Sequence, residues 1–173
     1  VYKGYFERGN DALARIQNDW TSHQYSEVLI QQVKDLRRCI DFLETRSDID
    51  SSKLALEGLS WGAVTAPVAL AAEERIRASV LIGGGLLSLK DMPPVVHPLN
   101  YLSRVKSPTL MLNGKYDMWA TPETSQQPMF ALLGTPAELK LWKVYETDHI
   151  PPRNEVIKEA VAWLDKYLGP VKR

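Results

Sequence analysis

Two rhythms of apolar residues alternate along the chain. Between residues 26 and 46, Leu29, Val33, Leu36, Ile40 and Leu43 recur at three- and four-residue steps. Lys34, Asp35, Arg37, Arg38, Asp41 and Glu44 fill the opposite side. This is the period of an amphipathic helix, and the i,i+4 pair Arg37/Asp41 suits its solvated face. Residues 154–168 repeat the pattern, with Val156, Ala160, Trp163, Leu164 and Tyr167 on the packing side. Short apolar runs bounded by turn residues lie between them and predict strands at Lys53–Leu59, Ile76–Ile82, Thr109–Asn113 and Leu139–Tyr145.

The segments between these runs read as helix or loop. Trp61–Ala72 is expected to be a helix kinked at Pro67, where a backbone donor is lost. A further helix is expected over Pro122–Leu133, with Thr121 or Glu123 near its cap. Asp48–Ser52 is a turn, and Leu86–Tyr101 is a proline-containing loop. Residues 1–25 show no period and predict a short extended piece, then a loop with a turn of helix near Ala12–Ile16. Strands alternating with helices give an α/β class: a parallel sheet of about four or five strands flanked by helices on both faces. Residues 1–173 fit one domain, long enough to bury a core.

Charge narrows the partners. Lysine plus arginine (21) equals aspartate plus glutamate (21), which gives no electrostatic case for nucleic acid or an anionic membrane. Zero net charge also does little to keep molecules apart, so self-association is mildly favoured. No apolar run reaches the ~20 residues of a membrane span, and the opening residues lack a signal-peptide pattern. The single cysteine, Cys39, lies at helical spacing beside Leu36, Ile40 and Leu43 and reads as a packed thiol. A reducing, cytoplasmic compartment fits these features. The chain opens on Val1-Tyr2-Lys3-Gly4 without Met, like the interior of a longer fold.

The chemistry gathers on Gly58-Leu59-Ser60-Trp61-Gly62, where a strand runs through Gly-x-Ser-x-Gly into an alanine-rich helix. Gly58 and Gly62, lacking Cβ, let strand and helix pass closely, and the turn exposes the hydroxyl of Ser60. A serine nucleophile needs a base and an acid to orient that base. In open α/β sheets reacting groups gather at the carboxyl ends of strands. Asp117 leaves the third strand in Asn113-Gly114-Lys115-Tyr116-Asp117, and His149 follows the fourth. The other histidines fit less well: His23 lies in a polar loop, and His97 in a proline-rich loop suited to surface or packing roles. Asp148, beside His149, reads as structural, since neighbouring loop side chains diverge.

The order Ser60, Asp117, His149 is that of α/β-hydrolases. No His/Cys/Asp/Glu cluster has metal-ligand spacing. The glycine run Gly83-Gly84-Gly85 fails as a dinucleotide fingerprint, because Ser88 stands at the next required glycine. No cofactor is expected.

The chain resembles the C-terminal portion of an α/β-hydrolase of the esterase and prolyl-oligopeptidase-like group. The resemblance rests on Gly58–Gly62, on Leu112–Asp117, on Thr147-Asp148-His149-Ile150-Pro151-Pro152-Arg153-Asn154 and on the opening Tyr2–Gly9. It implies a truncated α/β-hydrolase fold with Ser60 as nucleophile, His149 as general base and then acid, and Asp117 holding the imidazole. It also implies the backbone N–H of Trp61 as one oxyanion donor. The family's first three strands and most of the fourth, with the loop carrying a second oxyanion donor, have no counterpart here. The elbow strand would then be an open edge, covered by a second copy of the chain or by residues 1–25. A small-molecule ester is the expected substrate, with Tyr116 and Trp119 as candidate pocket walls beside Trp61. A peptidase or aminopeptidase-like hydrolase and a non-catalytic interaction module are the alternatives.

Overall fold

A computed structural model describes residues 2–170. Val1 and residues 171–173, part of the expected single domain, lie outside the described residues. Four parallel strands, β1 (Leu54–Leu59), β2 (Ile76–Ile82), β3 (Thr109–Gly114) and β4 (Lys140–Tyr145), lie side by side in chain order. Leu59 pairs with Ile82, Ile82 with Leu112, and Gly114 with Tyr145, so the strand ends bearing the candidate chemistry are in register.

The helices are α1 (Asp11–Gln17), α2 (His23–Glu44), α3 (Trp61–Ala72), α4 (Leu99–Leu102), α5 (Gln127–Leu132) and α6 (Arg153–Leu168). Side chains alternate across a strand, so the central strands β2 and β3 each feed two cores. Leu81 and Met111 face Ile40 of α2, Ala63, Ala66 and Leu70 of α3, and Leu102 of α4. Val80, Ile82, Leu110 and Leu112 face Ala160 and Trp163 of α6, with Val156, Leu164 and Tyr167 around them. β3 is buried at every position, as a central parallel strand should be. A third cluster joins Tyr25 and Leu29 of α2 to Val64 of α3 and to Leu89, Met92 and Val96 of the following loop.

Several elements differ from expectation. The first helix run begins at His23 because Ser22 caps it, its Oγ accepting from Tyr25 N at 3.1 Å. His23 thus opens a helix, and its side chain remains exposed. The opening piece is not extended. Gly4, at φ 95°, turns the chain into a 3-10 turn at Phe6–Arg8. Asp35 holds that segment on α2, accepting from Lys3 N at 2.9 Å and from Arg8 at 2.8 Å. α1 is a full helix, capped by Asn10. The expected helix 122–133 opens as a π turn, Pro122–Gln126, before α5. Pro128 removes an i→i−4 donor, and the preceding turn widens so that Gln127 N–H reaches Pro122 O. Pro67 lies within α3 without ending it.

The pair Arg37/Asp41 is not formed. Arg37 faces Glu73 at 3.4 Å, while Asp41 bonds Arg38 and Arg75, each at 2.9 Å. Glu73 is buried at the end of α3 and draws the arginines of neighbouring elements toward it. Cys39 is exposed rather than packed. Val33, Leu36, Cys39 and Leu43 of α2 face a cleft beside β1. Among the described residues the edge of β1 has no strand partner; the opening segment is tied to α2 through Lys3, and Tyr2, Tyr5 and Phe6 line the space beside that edge. An apolar cleft of about 750 Å³ remains along this edge, lined by Leu36, Ile40, Leu54 and Leu56 and reaching Ser60 and Trp61.

Candidate active site

Ser60 sits at the joint between β1 and α3 with φ 52° and ψ −116°, a conformation that costs about 1–3 kcal/mol in a non-glycine residue. Two sets of backbone bonds hold it there. Its N–H donates to Ile82 O at 2.8 Å, extending the β1–β2 ladder, and its carbonyl accepts from Ala63 N and Val64 N at the start of α3. The close crossing falls at Gly58, where a Cβ would meet the Gly62 carbonyl oxygen at 2.7 Å. Gly62 differs from expectation: a Cβ there meets nothing within 4 Å, so only the first elbow glycine is sterically required.

Asp117 and His149 arrive from β3 and β4. The two loops are laced together by Lys115 N–H to Tyr145 O at 2.8 Å and Tyr116 N–H to Thr147 O at 2.9 Å. At Gly114 they touch so closely that a Cβ would overlap the Asp148 carbonyl oxygen, leaving only glycine possible. Exposed Asp148 contributes this carbonyl to the joint, so its part here is a main-chain one. Glu146 adds a surface tie, accepting from Lys115 Nζ at 2.7 Å and from the Tyr116 hydroxyl. These bonds hold its carboxyl below the usual carboxylate range.

The three side chains meet in one line. His149 Nε2 is 2.7 Å from Ser60 Oγ, and His149 Nδ1 is 2.7 Å from Asp117 Oδ2. Asp117 is buried, and its second oxygen accepts from Trp119 N at 2.8 Å and Ala120 N at 3.0 Å. Both carboxylate oxygens are therefore satisfied, and the side chain cannot swing from the imidazole without losing two backbone bonds. Such a relay can take a proton from the serine hydroxyl and return it to a leaving group.

The surrounding aromatic residues separate. Trp61 lines the cleft beside Ser60, its indole N–H donating to Tyr25 OH at 3.1 Å and its ring 5.9 Å from that of Trp20. Burial pushes the Tyr25 hydroxyl up to about 12. Tyr116 and Trp119 do not line that cleft; Trp119 is 78% exposed and Tyr116 reaches out to Glu146. His97 lies away from the relay, its Nδ1 accepting from Leu99 N at the start of α4. Among the described residues there is no group of three His, Cys, Asp or Glu able to hold a metal, and no helix is long and apolar enough to cross a membrane. Gly83, which carried no sequence signal beyond its place in a glycine run, packs against His149.

No protein-family model matches the chain. No curated protein matches it either. Solved structures do match. A cold-adapted esterase from an Arctic intertidal metagenomic library is 22% identical, with a TM-score of 0.68, over 92% of this chain and 66% of its own. Acetyl xylan esterase 1 from a Thermoanaerobacterium species is 16% identical, with a TM-score of 0.70, over 96% of this chain and 62% of its own. A 2,6-dihydroxy-pseudo-oxynicotine hydrolase is 23% identical, with a TM-score of 0.63, over 79% of this chain and 46% of its own. The chain thus spans less than two thirds of each of these structures. At such identities the likeness is one of fold, and the fold is that of the α/β-hydrolases.

Proposed function

We propose that the chain is a serine hydrolase that cleaves short-chain carboxylic esters through an acyl-enzyme. The observation that carries this reading is the unbroken hydrogen-bonded line from Ser60 through His149 to Asp117, with Ser60 held at positive φ on a strand-to-helix turn. The names of the structural neighbours, two of them esterases, point the same way.

In this mechanism Ser60 Oγ attacks the ester carbonyl carbon while His149 Nε2 takes its proton. Asp117 Oδ2 accepts from Nδ1–H, fixing the tautomer and stabilising the imidazolium. The developing oxyanion is met by the Trp61 N–H at the start of α3, where the helix dipole also favours negative charge. Collapse expels the alcohol, which receives the proton from Nε2. Water, deprotonated by the same nitrogen, then attacks the acyl-Ser60 ester and releases the carboxylic acid. Each half-reaction returns the relay to its starting protonation. The open cleft beside the half-buried Ser60 suits small esters better than a deeply enclosed ligand.

Fluorophosphonate labelling of wild type and Ser60→Ala tests the nucleophile directly, because the probe requires an activated serine and not a good substrate. Hydrolysis of p-nitrophenyl acetate and butyrate by the same pair tests the substrate class. A second reading, a non-catalytic module that keeps the three residues, draws on the β1 edge, without a strand partner among the described residues, and on the partial span of the neighbours. Equal labelling of wild type and Ser60→Ala would favour it. The same edge supports self-association as the partner expectation.

A further inference from the structure

The glycine run after β2 takes no part in the mechanism above, yet it lies directly against the histidine. Gly83 is buried at φ 63°. A Cβ there would sit 2.9 Å from Ile150 Cδ1, 3.0 Å from the His149 carbonyl oxygen and 3.2 Å from His149 Cε1. Cε1 is the ring carbon between Nδ1 and Nε2, so pressure on it moves both hydrogen bonds of the relay together.

One peptide unit connects this contact to the serine. The Ile82 carbonyl accepts from Ser60 N at 2.8 Å, and the Gly83 N–H in the same plane donates to Leu112 O at 2.9 Å. The next residue is fixed as well, since Asn113 Nδ2, itself fully buried, donates to Gly84 O at 2.7 Å. The platform under the imidazole is therefore anchored to β1 and β3 and cannot retreat from an added atom.

We propose that Gly83 is a positioning residue: its bare Cα forms the floor on which the His149 ring rests, at a fixed offset from Ser60. The inference rests on the reading of His149 as the base. Ile150 Cδ1 is a flexible side-chain end and can move aside, whereas the His149 carbonyl is main chain, so an added methyl displaces the histidine loop. A misplacement approaching 1 Å costs up to about 10²-fold in rate.

The test is Gly83→Ala, paired with Gly169→Ala. Gly169 also has positive φ, at 78°, but lies at the end of α6 with its nearest outside atom, Lys53 Nζ, at 3.5 Å. It too is strained by a side chain at positive φ, without touching the site. Gly83→Ala is expected to slow fluorophosphonate labelling and kcat at least about tenfold with KM near wild type, while Gly169→Ala labels normally. The downfield proton resonance of the His149–Asp117 hydrogen bond should shift or vanish in Gly83→Ala alone. Gly83→Ala/Ile150→Ala removes the closest clash and serves if the single variant does not fold; it should still label slowly. Labelling of this double variant at the rate of Ile150→Ala would overturn the proposal, as would an unchanged proton resonance in Gly83→Ala. Should wild type itself fail to label, the reading of function fails, and the resonance still decides the placement of the ring.

Discussion

Gly58 is pressed against the backbone of Gly62, so that an added Cβ would lie 2.7 Å from its carbonyl oxygen, while Gly62 has open space where its own Cβ would be. The two elbow glycines should therefore answer differently to alanine. Gly58→Ala must push β1 and α3 apart, and overpacking of this kind costs about 1–3 kcal/mol. Gly62→Ala lies in the first turn of α3, where a methyl has room, and should leave stability unchanged or raise it by less than about 1 kcal/mol. Denaturant midpoints of the two variants check this; a loss of stability in both would mean that Gly62 is also sterically confined.

Asp117 offers a separation of catalysis from packing. Asp117→Asn keeps an oxygen for Trp119 N and Ala120 N but presents an amide to His149 Nδ1, which stabilises the wrong tautomer. Activity should fall by roughly 10⁴-fold with Tm close to wild type. Asp117→Ala also strands two backbone donors and should lower stability by about 1–3 kcal/mol for each donor left without a partner. Kinetics with p-nitrophenyl acetate beside thermal melts distinguish the two, and comparable melting losses in both variants would argue against this division of roles.

The sheet and the relay were legible in the sequence for the same reason. Parallel strands buried on both faces are short apolar runs, and α/β folds put their chemistry just past the ends of those runs. Ser60 was legible from its Gly-x-Ser-x-Gly turn, and Asp117 and His149 from their places after the third and fourth strands taken with the order Ser, Asp, His. Less legible was anything set by contacts distant in sequence. Arg37 lies one helical turn from Asp41, but the buried carboxylate of Glu73 draws it elsewhere. Cys39 has core spacing on α2 but lies exposed beside the cleft at β1. Gly83 and Gly114 look like ordinary turn glycines until the histidine loop is laid over them. The aromatic residues flanking Asp117 point to solvent because the loop turns after Tyr116 to bury the carboxylate instead.

Glu73 should govern stability in acid. Its buried carboxylate accepts from Arg75 N at 3.1 Å, from Nε at 2.7 Å and from Nη2 at 2.6 Å, and these bonds hold its pKa below the ordinary glutamate value. A carboxyl whose pKa is lower folded than unfolded contributes fully above its unfolded value, about 4.3, and loses the contribution as pH falls through the folded one. Tm should therefore hold from neutrality to about pH 5 and decline below it. Glu73→Gln should lower Tm at pH 7 and flatten the acid decline. An acid limb of unchanged slope in the variant would assign the decline to other carboxylates.

The open edge of β1 makes the remaining prediction. Among the described residues, strand Leu54–Leu59 pairs only with β2, and Leu59 at its end is 55% exposed. An uncovered strand edge pairs readily with another chain, and zero net charge provides no opposing repulsion. Light scattering should report a mass that rises with concentration. Ala55→Lys places a charge in the edge strand at an exposed position away from the relay, and should shift the population to monomer without changing the labelling of Ser60. A wild type that remains monomeric to the limit of its solubility would exclude pairing across β1. The reaction chemistry would then belong to a single chain, because Ser60, His149 and Asp117 all come from one sheet and meet without a partner's residue.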